Sequence, residues 1–97
     1  MSSKAHNRSM SIDRANSIIL KPYITEKTFN LIEKENKLTF IVAEKARKNQ
    51  ILEALQILYE SEASKVTTAR TIQGKKAFIT FKSDEGAREL ATKMGLV

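Results

Sequence analysis

The stretch KVTTARTIQGKKAFITFK, residues 65–82, decides the fold. Two β-rich runs, Lys65 to Ile72 and Lys75 to Lys82, flank Gln73-Gly74, and a two-residue connection with Gly second is the signature of a tight antiparallel hairpin. In the second arm Ala77, Ile79 and Phe81 alternate with Lys76, Phe78, Thr80 and Lys82, the period of a strand with one apolar face. That apolar face is assigned to the core, and it needs a second layer to cover it.

The cover lies upstream. Ile51, Leu52, Leu55, Leu58 and Tyr59 recur at helical spacing between Lys48 and Glu60, which predicts a helix lying on the sheet. Before it, Lys37 to Ala43 puts Leu38, Phe40 and Val42 on one face and Thr39 and Ile41 on the other, as in a central strand. Thr25 stands at an N-cap position with Glu26 in the first turn, and Phe29, Ile32 and Leu31 supply the buried stripe of a short helix that ends near Glu35-Asn36. Ile18-Ile19-Leu20, stopped by Pro22, reads as a first strand at a sheet edge. Downstream, Ser83 is placed to cap a helix over Asp84 to Met94, in which Ala87, Leu90, Ala91 and Met94 follow i, i+3, i+4, i+7 and Gly95 ends the run. Residues 1–16, polar and with no repeating apolar spacing, read as a flexible basic arm, and residues 17–97 as a single domain. The expected fold class is α+β: a two-layer sandwich with a mostly antiparallel four-stranded sheet, helices on one face, and the ferredoxin-like order β-α-β-α-β-β-α. The other face of the sheet is left for solvent or a partner.

Composition narrows the function. With 97 residues, no cysteine and one histidine, the chain has room for one small core and no means of building a thiol nucleophile, a disulfide or a thiolate metal site. His6 lies in the arm, away from anything that could orient it, so no catalytic residue is assigned. No phosphate-binding glycine loop and no calcium-loop spacing occur, so neither a cofactor, a metal nor a small-molecule substrate is expected. No apolar run is long enough to span a bilayer and no hydrophobic signal core opens the chain; the expectation is a cytoplasmic protein without membrane insertion. Lys and Arg number 17 against 11 Asp and Glu, a net charge of +6, which points to a polyanionic partner. The cations cluster where acids are scarce. Lys45, Arg47 and Lys48 precede the long helix, and Lys65, Arg70, Lys75 and Lys76 follow with no carboxylate among them. Thr67, Thr68, Thr71 and Thr80, interleaved with these cations, can bond phosphates and ribose hydroxyls, and Phe78 adds an outward aromatic. Substituting Lys75 and Lys76 together by Ala is expected to weaken RNA binding and to flatten its salt slope by about one to two units.

A family pattern then emerges in order along the chain. Lys21-Pro22-Tyr23-Ile24-Thr25-Glu26-Lys27 resembles the P-H-V-[ST]-E-K signature of the ribosomal protein L23 family, the universal large-subunit protein at the exit of the peptide tunnel. Lys37 to Val42 resembles that family's second strand, and Ala46-Arg47-Lys48-Asn49-Gln50-Ile51 the entry to its main helix. Val66-Thr67-Thr68 stands where the family has V-N-T, and Gly74 to Thr80 where it has G-K-K-A-Y-V. Tyr23 replaces the usual His and Thr67 the usual Asn, and the short connection at Gln73-Gly74 resembles the archaeal type rather than the long bacterial loop. The resemblance implies a ribosomal structural protein, not an enzyme, that binds large-subunit rRNA and touches neighbouring ribosomal proteins. It adds Lys21, Tyr23, Thr25 and Lys27 to the RNA-binding set, and implies that Glu26 is a docking contact for signal recognition particle or other nascent-chain factors. The alternative is a non-ribosomal RNA-binding α+β domain. An acylphosphatase-type hydrolase requires a glycine-rich anion loop opening a helix, and none of the three glycines stands at one.

Overall fold

A computed structural model describes residues 10–96; residues 1–9 of the expected arm, His6 among them, and Val97 lie outside the described residues. The elements run α1 (Ile12–Ile18), β1 (Ile19–Pro22), α2 (Glu26–Glu35), β2 (Lys37–Val42), α3 (Lys48–Tyr59), β3 (Ala63–Thr71), β4 (Gly74–Phe81) and α4 (Gly86–Lys93). The four strands form one sheet in the order β1-β2-β4-β3, with every neighbouring pair antiparallel. The α+β sandwich expected from the alternation is the one that forms.

The core lies on one face of the sheet. Leu38 pairs with Ile79 and Phe40 with Ala77 across β2 and β4, and all four side chains are buried. Ile51, Ala54 and Leu55 of α3, Ile32 of α2 and Leu90 of α4 join them in one cluster. Phe40 also stacks on Tyr59, with ring centroids 5.9 Å apart, tying the last turn of α3 to the central strand. Burial there pushes the Tyr59 phenol above its ordinary pKa. The sheet edges are blunted: β1 is short, bulged between Ile19 and Lys21 and closed by Pro22, while β3 exposes Lys65 and Arg70.

Three local expectations are corrected. First, Ile18 ends a helix instead of opening a strand, and residues 11–18, expected mostly in the arm, are folded. Ser11 accepts a bond from the Arg14 N–H at 3.1 Å, and Ala15 and Ile18 are buried in the same core cluster as α3. A helix that buries one alanine and one isoleucine leaves almost no apolar period to read.

Second, the hairpin turn sits one residue earlier than Gln73-Gly74. Thr71 pairs with Gly74, so Ile72-Gln73 form the tip. The Thr71 hydroxyl donates to the Gly74 carbonyl at 2.8 Å and accepts from the Gln73 N–H at 3.2 Å. Gly74 has φ +122°, a conformation that side chains rarely adopt, so the glycine closes the turn.

Third, α4 starts at Gly86, and its cap is not Ser83. Asn36, the left-handed C-cap of α2 at φ 56°, accepts the Ala87 N–H at 2.9 Å and donates to the Phe81 and Ser83 carbonyls at 3.1 and 2.7 Å. One residue thus ends α2 with its backbone and, with its side chain, holds the end of β4 and starts α4.

Candidate nucleic-acid interface

The strand register fixes which residues share the face away from the core. Phe78 lies between Thr39 and Thr67, Lys76 between Ile41 and Ala69, and Lys65 is paired with Thr80. Lys21 pairs with Ile41, and Tyr23 extends the line of β1 by donating its N–H to the Thr39 carbonyl at 2.9 Å. Lys21, Tyr23, Lys65, Thr67, Lys76 and Phe78 therefore occupy one open surface. It has a consistent sign: the strands carry Lys21, Lys37, Lys65, Arg70, Lys75 and Lys76, and no Asp or Glu. The acids lie off the strands: Glu33, Glu35, Asp84 and Glu85 line one cleft together with Lys34 and Arg88, and Glu60, Glu62 and Glu89 another together with Lys82 and Lys93. Such a separation of charge steers a polyanion toward the sheet.

Within this face the Lys76 ammonium sits 3.8 Å from the centroid of the Tyr23 ring, a cation–π contact. Tyr23, Thr25, Lys27, Leu31, Lys76 and Phe78 enclose a cleft of about 200 Å³. Two of its features were not foreseen. The Thr28 hydroxyl accepts the Thr25 N–H at 2.7 Å and donates to the Tyr23 carbonyl at 2.9 Å, locking the exit of β1 to the start of α2. The Thr25-x-x-Thr28 spacing of a capping box was the available signal. Leu31 was expected only in the buried stripe of α2, since its place beside Phe78 depends on where α2 docks. The Thr25 hydroxyl itself accepts the Thr28 N–H at 3.2 Å, so it is engaged in capping the helix. Glu26, the first residue of α2, is exposed.

The remaining candidates do not join the open face. Adjacent strand residues point to opposite faces, so Lys75 and Lys76 serve different surfaces. Lys75 pairs with Val42 on the helix side and donates its ammonium to the Ala46 carbonyl at 2.7 Å, joining the rim formed by Lys45, Arg47 and Lys48. Thr68 and Arg70 share that side, and Arg70 is ion-paired with Glu44. The candidate cations therefore form two surfaces, the open sheet face and the rim at the start of α3.

Thr39 lies between Tyr23 and Phe78 and is fully buried, with its hydroxyl unpartnered. A buried hydroxyl without a bond costs about 1–3 kcal/mol. Thr39→Val, which keeps the shape and removes that oxygen, is expected to raise stability by about 1 kcal/mol in urea unfolding. A loss of stability would show that the hydroxyl is satisfied in solution.

Among the described residues no His, Cys, Asp or Glu group could hold a metal ion, and no helix is long and apolar enough to cross a membrane. Fold and surface together define a small α+β domain that presents an open cationic sheet bearing two aromatic rings. Comparison supplies the family: residues 17–94 match the model of the family described as Ribosomal protein L23, and the chain belongs to it. Its relatives include the large ribosomal subunit protein uL23 of Methanobrevibacter smithii, 51% identical over 81 residues that cover 82% of this chain and 94% of the relative. The uL23 of Methanococcus maripaludis is 42% identical over 80 residues, covering 81% and 93% of the two chains. The resemblance to an archaeal-type member of a structural, non-enzymatic family is thereby established. Most of α1 precedes the matched residues.

Proposed function

We propose that this protein is a structural component of the cytoplasmic large ribosomal subunit that binds large-subunit rRNA near the peptide exit tunnel. The observation that carries this reading is a sheet whose charged residues are all cations and one of whose faces is open. Lysines there neutralise phosphates and release counterions, while Thr67 and backbone groups set the register on a folded RNA. The rim at Lys45, Arg47, Lys48 and Lys75, with Arg70 beside it, serves a second RNA segment. Glu26, exposed at the start of α2, is the docking contact for signal recognition particle or another nascent-chain factor, and the surface of mixed charge around α4 faces neighbouring ribosomal proteins. Family membership favours this over a free-standing RNA-binding domain.

The test is the salt dependence of binding to a large-subunit rRNA fragment, with a random RNA of equal length as competitor. Preference for the rRNA fragment is expected; equal affinity for both would refute a ribosomal site. Lys76→Ala and Lys75→Ala should each flatten the slope of log K against log salt by about one unit, and their effects should add because they lie on opposite faces. An unchanged slope for Lys76→Ala removes the open face from the interface, and for Lys75→Ala it removes the rim.

A further inference from the structure

We propose that the cleft between Tyr23, Leu31 and Phe78 receives a single unstacked RNA base. The inference rests on the reading of the open face as an RNA surface and names the part of the RNA that this site takes. A surface that only neutralised phosphates would need lysines and threonines, as the β3 half of the face has. Here two rings and a leucine instead gather around one recess, with Lys27, Lys76 and Thr25 at its margin. Isolated exposed apolar residues need no explanation, but three lining one concavity within a cationic surface call for an apolar guest that carries negative charge.

A nucleotide has those properties: its base offers a π-face and its phosphate a charge. The cleft, at about 200 Å³, is smaller than the roughly 300–1,000 Å³ of drug-sized ligand sites, which suits one base with its sugar and phosphate outside. Tyr23 already has a cation over its ring, with the Lys76 ammonium 3.8 Å from the centroid. A base stacking there takes over that contact and frees the ammonium for the adjacent phosphate.

The experiment compares binding of the full chain to an oligoadenylate of about 12 nucleotides and to an abasic ribose-phosphate oligomer of the same length and charge. The oligoadenylate should bind about tenfold tighter. Phe78→Leu and Tyr23→Leu, which keep the surface apolar, should each erase most of that difference while the salt slope, set by the lysines, stays the same. Unfolding midpoints taken alongside show that both variants are folded. Equal binding of the two oligomers by the native chain, or a preference that survives both substitutions, overturns the base pocket and leaves the phosphate surface standing. If neither oligomer nor the rRNA fragment binds with salt dependence, the RNA reading fails together with the pocket.

Discussion

Asn36→Ala should cost about 2–4 kcal/mol, a large share of the roughly 5–15 kcal/mol that stabilises a domain of this kind. The Asn36 side chain makes three hydrogen bonds, two to the Phe81 and Ser83 carbonyls and one from the Ala87 N–H. Each contributes about 1 kcal/mol, and the loss falls heaviest at buried Ala87, whose N–H would have no partner at the start of α4. Alanine must also hold φ 56°, which asparagine tolerates better than other side chains. No simple shift of α4 can compensate. A Cβ on Gly86 would lie 2.6 Å from the Phe81 Cβ, so the helix start is already seated against β4 as closely as a glycine permits. Asn36→Gly separates the two costs: it should be less damaging than alanine by about 1 kcal/mol, because it gives up the same bonds without the backbone penalty. Urea unfolding of the three proteins measures both quantities. A loss below about 0.5 kcal/mol for alanine would mean that water replaces the side chain and that the junction is not a keystone.

That junction illustrates what a sequence conceals. Asn36 could be recognised as a helix C-cap, but its second role depends on carbonyls and an N–H that are 45 to 51 residues away and meet it only after the sheet has formed. Ser83, a plausible cap from local spacing, lost to this tertiary partner. The β4 alternation was legible because Ala77, Ile79 and Phe81 face a packed layer and the period of two leaves a strong imprint. Helix α1 left no such imprint, since only Ala15 and Ile18 are buried in it. The turn slipped by one residue because Gly74 can stand either inside a two-residue loop or just after it, and the Thr71 hydroxyl decided between the two.

The site was legible in part for the same reason. Cations in strands announce a surface of one sign, but whether two adjacent lysines cooperate is a matter of faces, and the alternation that marked Phe78 as outward also places Lys75 and Lys76 apart. The aromatic cleft was less accessible still. It needs the exit of β1, the middle of α2 and the centre of β4 in one place, and only Phe78 and Tyr23 of its apolar lining could be singled out beforehand.

Reversing the charge of the open face should have the largest effect on binding. The variant Lys21→Glu, Lys65→Glu, Lys76→Glu takes the net charge from +6 to 6 − 3 × 2 = 0. Affinity for the rRNA fragment should fall about a thousandfold near 0.1 M salt, and the salt slope should flatten by about three units, one for each phosphate that no longer meets a lysine. The fold should survive. None of the three lysines makes an ion pair among the described residues, and the cation–π contact of Lys76 contributes only about 0.5–1 kcal/mol. The decisive control has the same net charge in a different place: Lys34→Glu, Lys82→Glu, Lys93→Glu alters residues off the open-face cluster, and Lys93 lines the Glu60, Glu62 and Glu89 cleft. Lys34 and Lys93 lie in the last turns of α2 and α4, so this control costs about 0.3–1 kcal/mol of stability for each of them, and Lys82→Glu adds up to about 1 kcal/mol by breaking the exposed Lys82–Glu62 ion pair, yet the control should leave the salt slope nearly intact. If the two variants lose affinity equally, binding follows net charge alone and the sheet face has no privileged role. If only the first loses it, the geometry of the sheet selects the RNA: its lysines stand a strand spacing apart on a rigid surface, and a more diffuse charge elsewhere on the molecule cannot replace them.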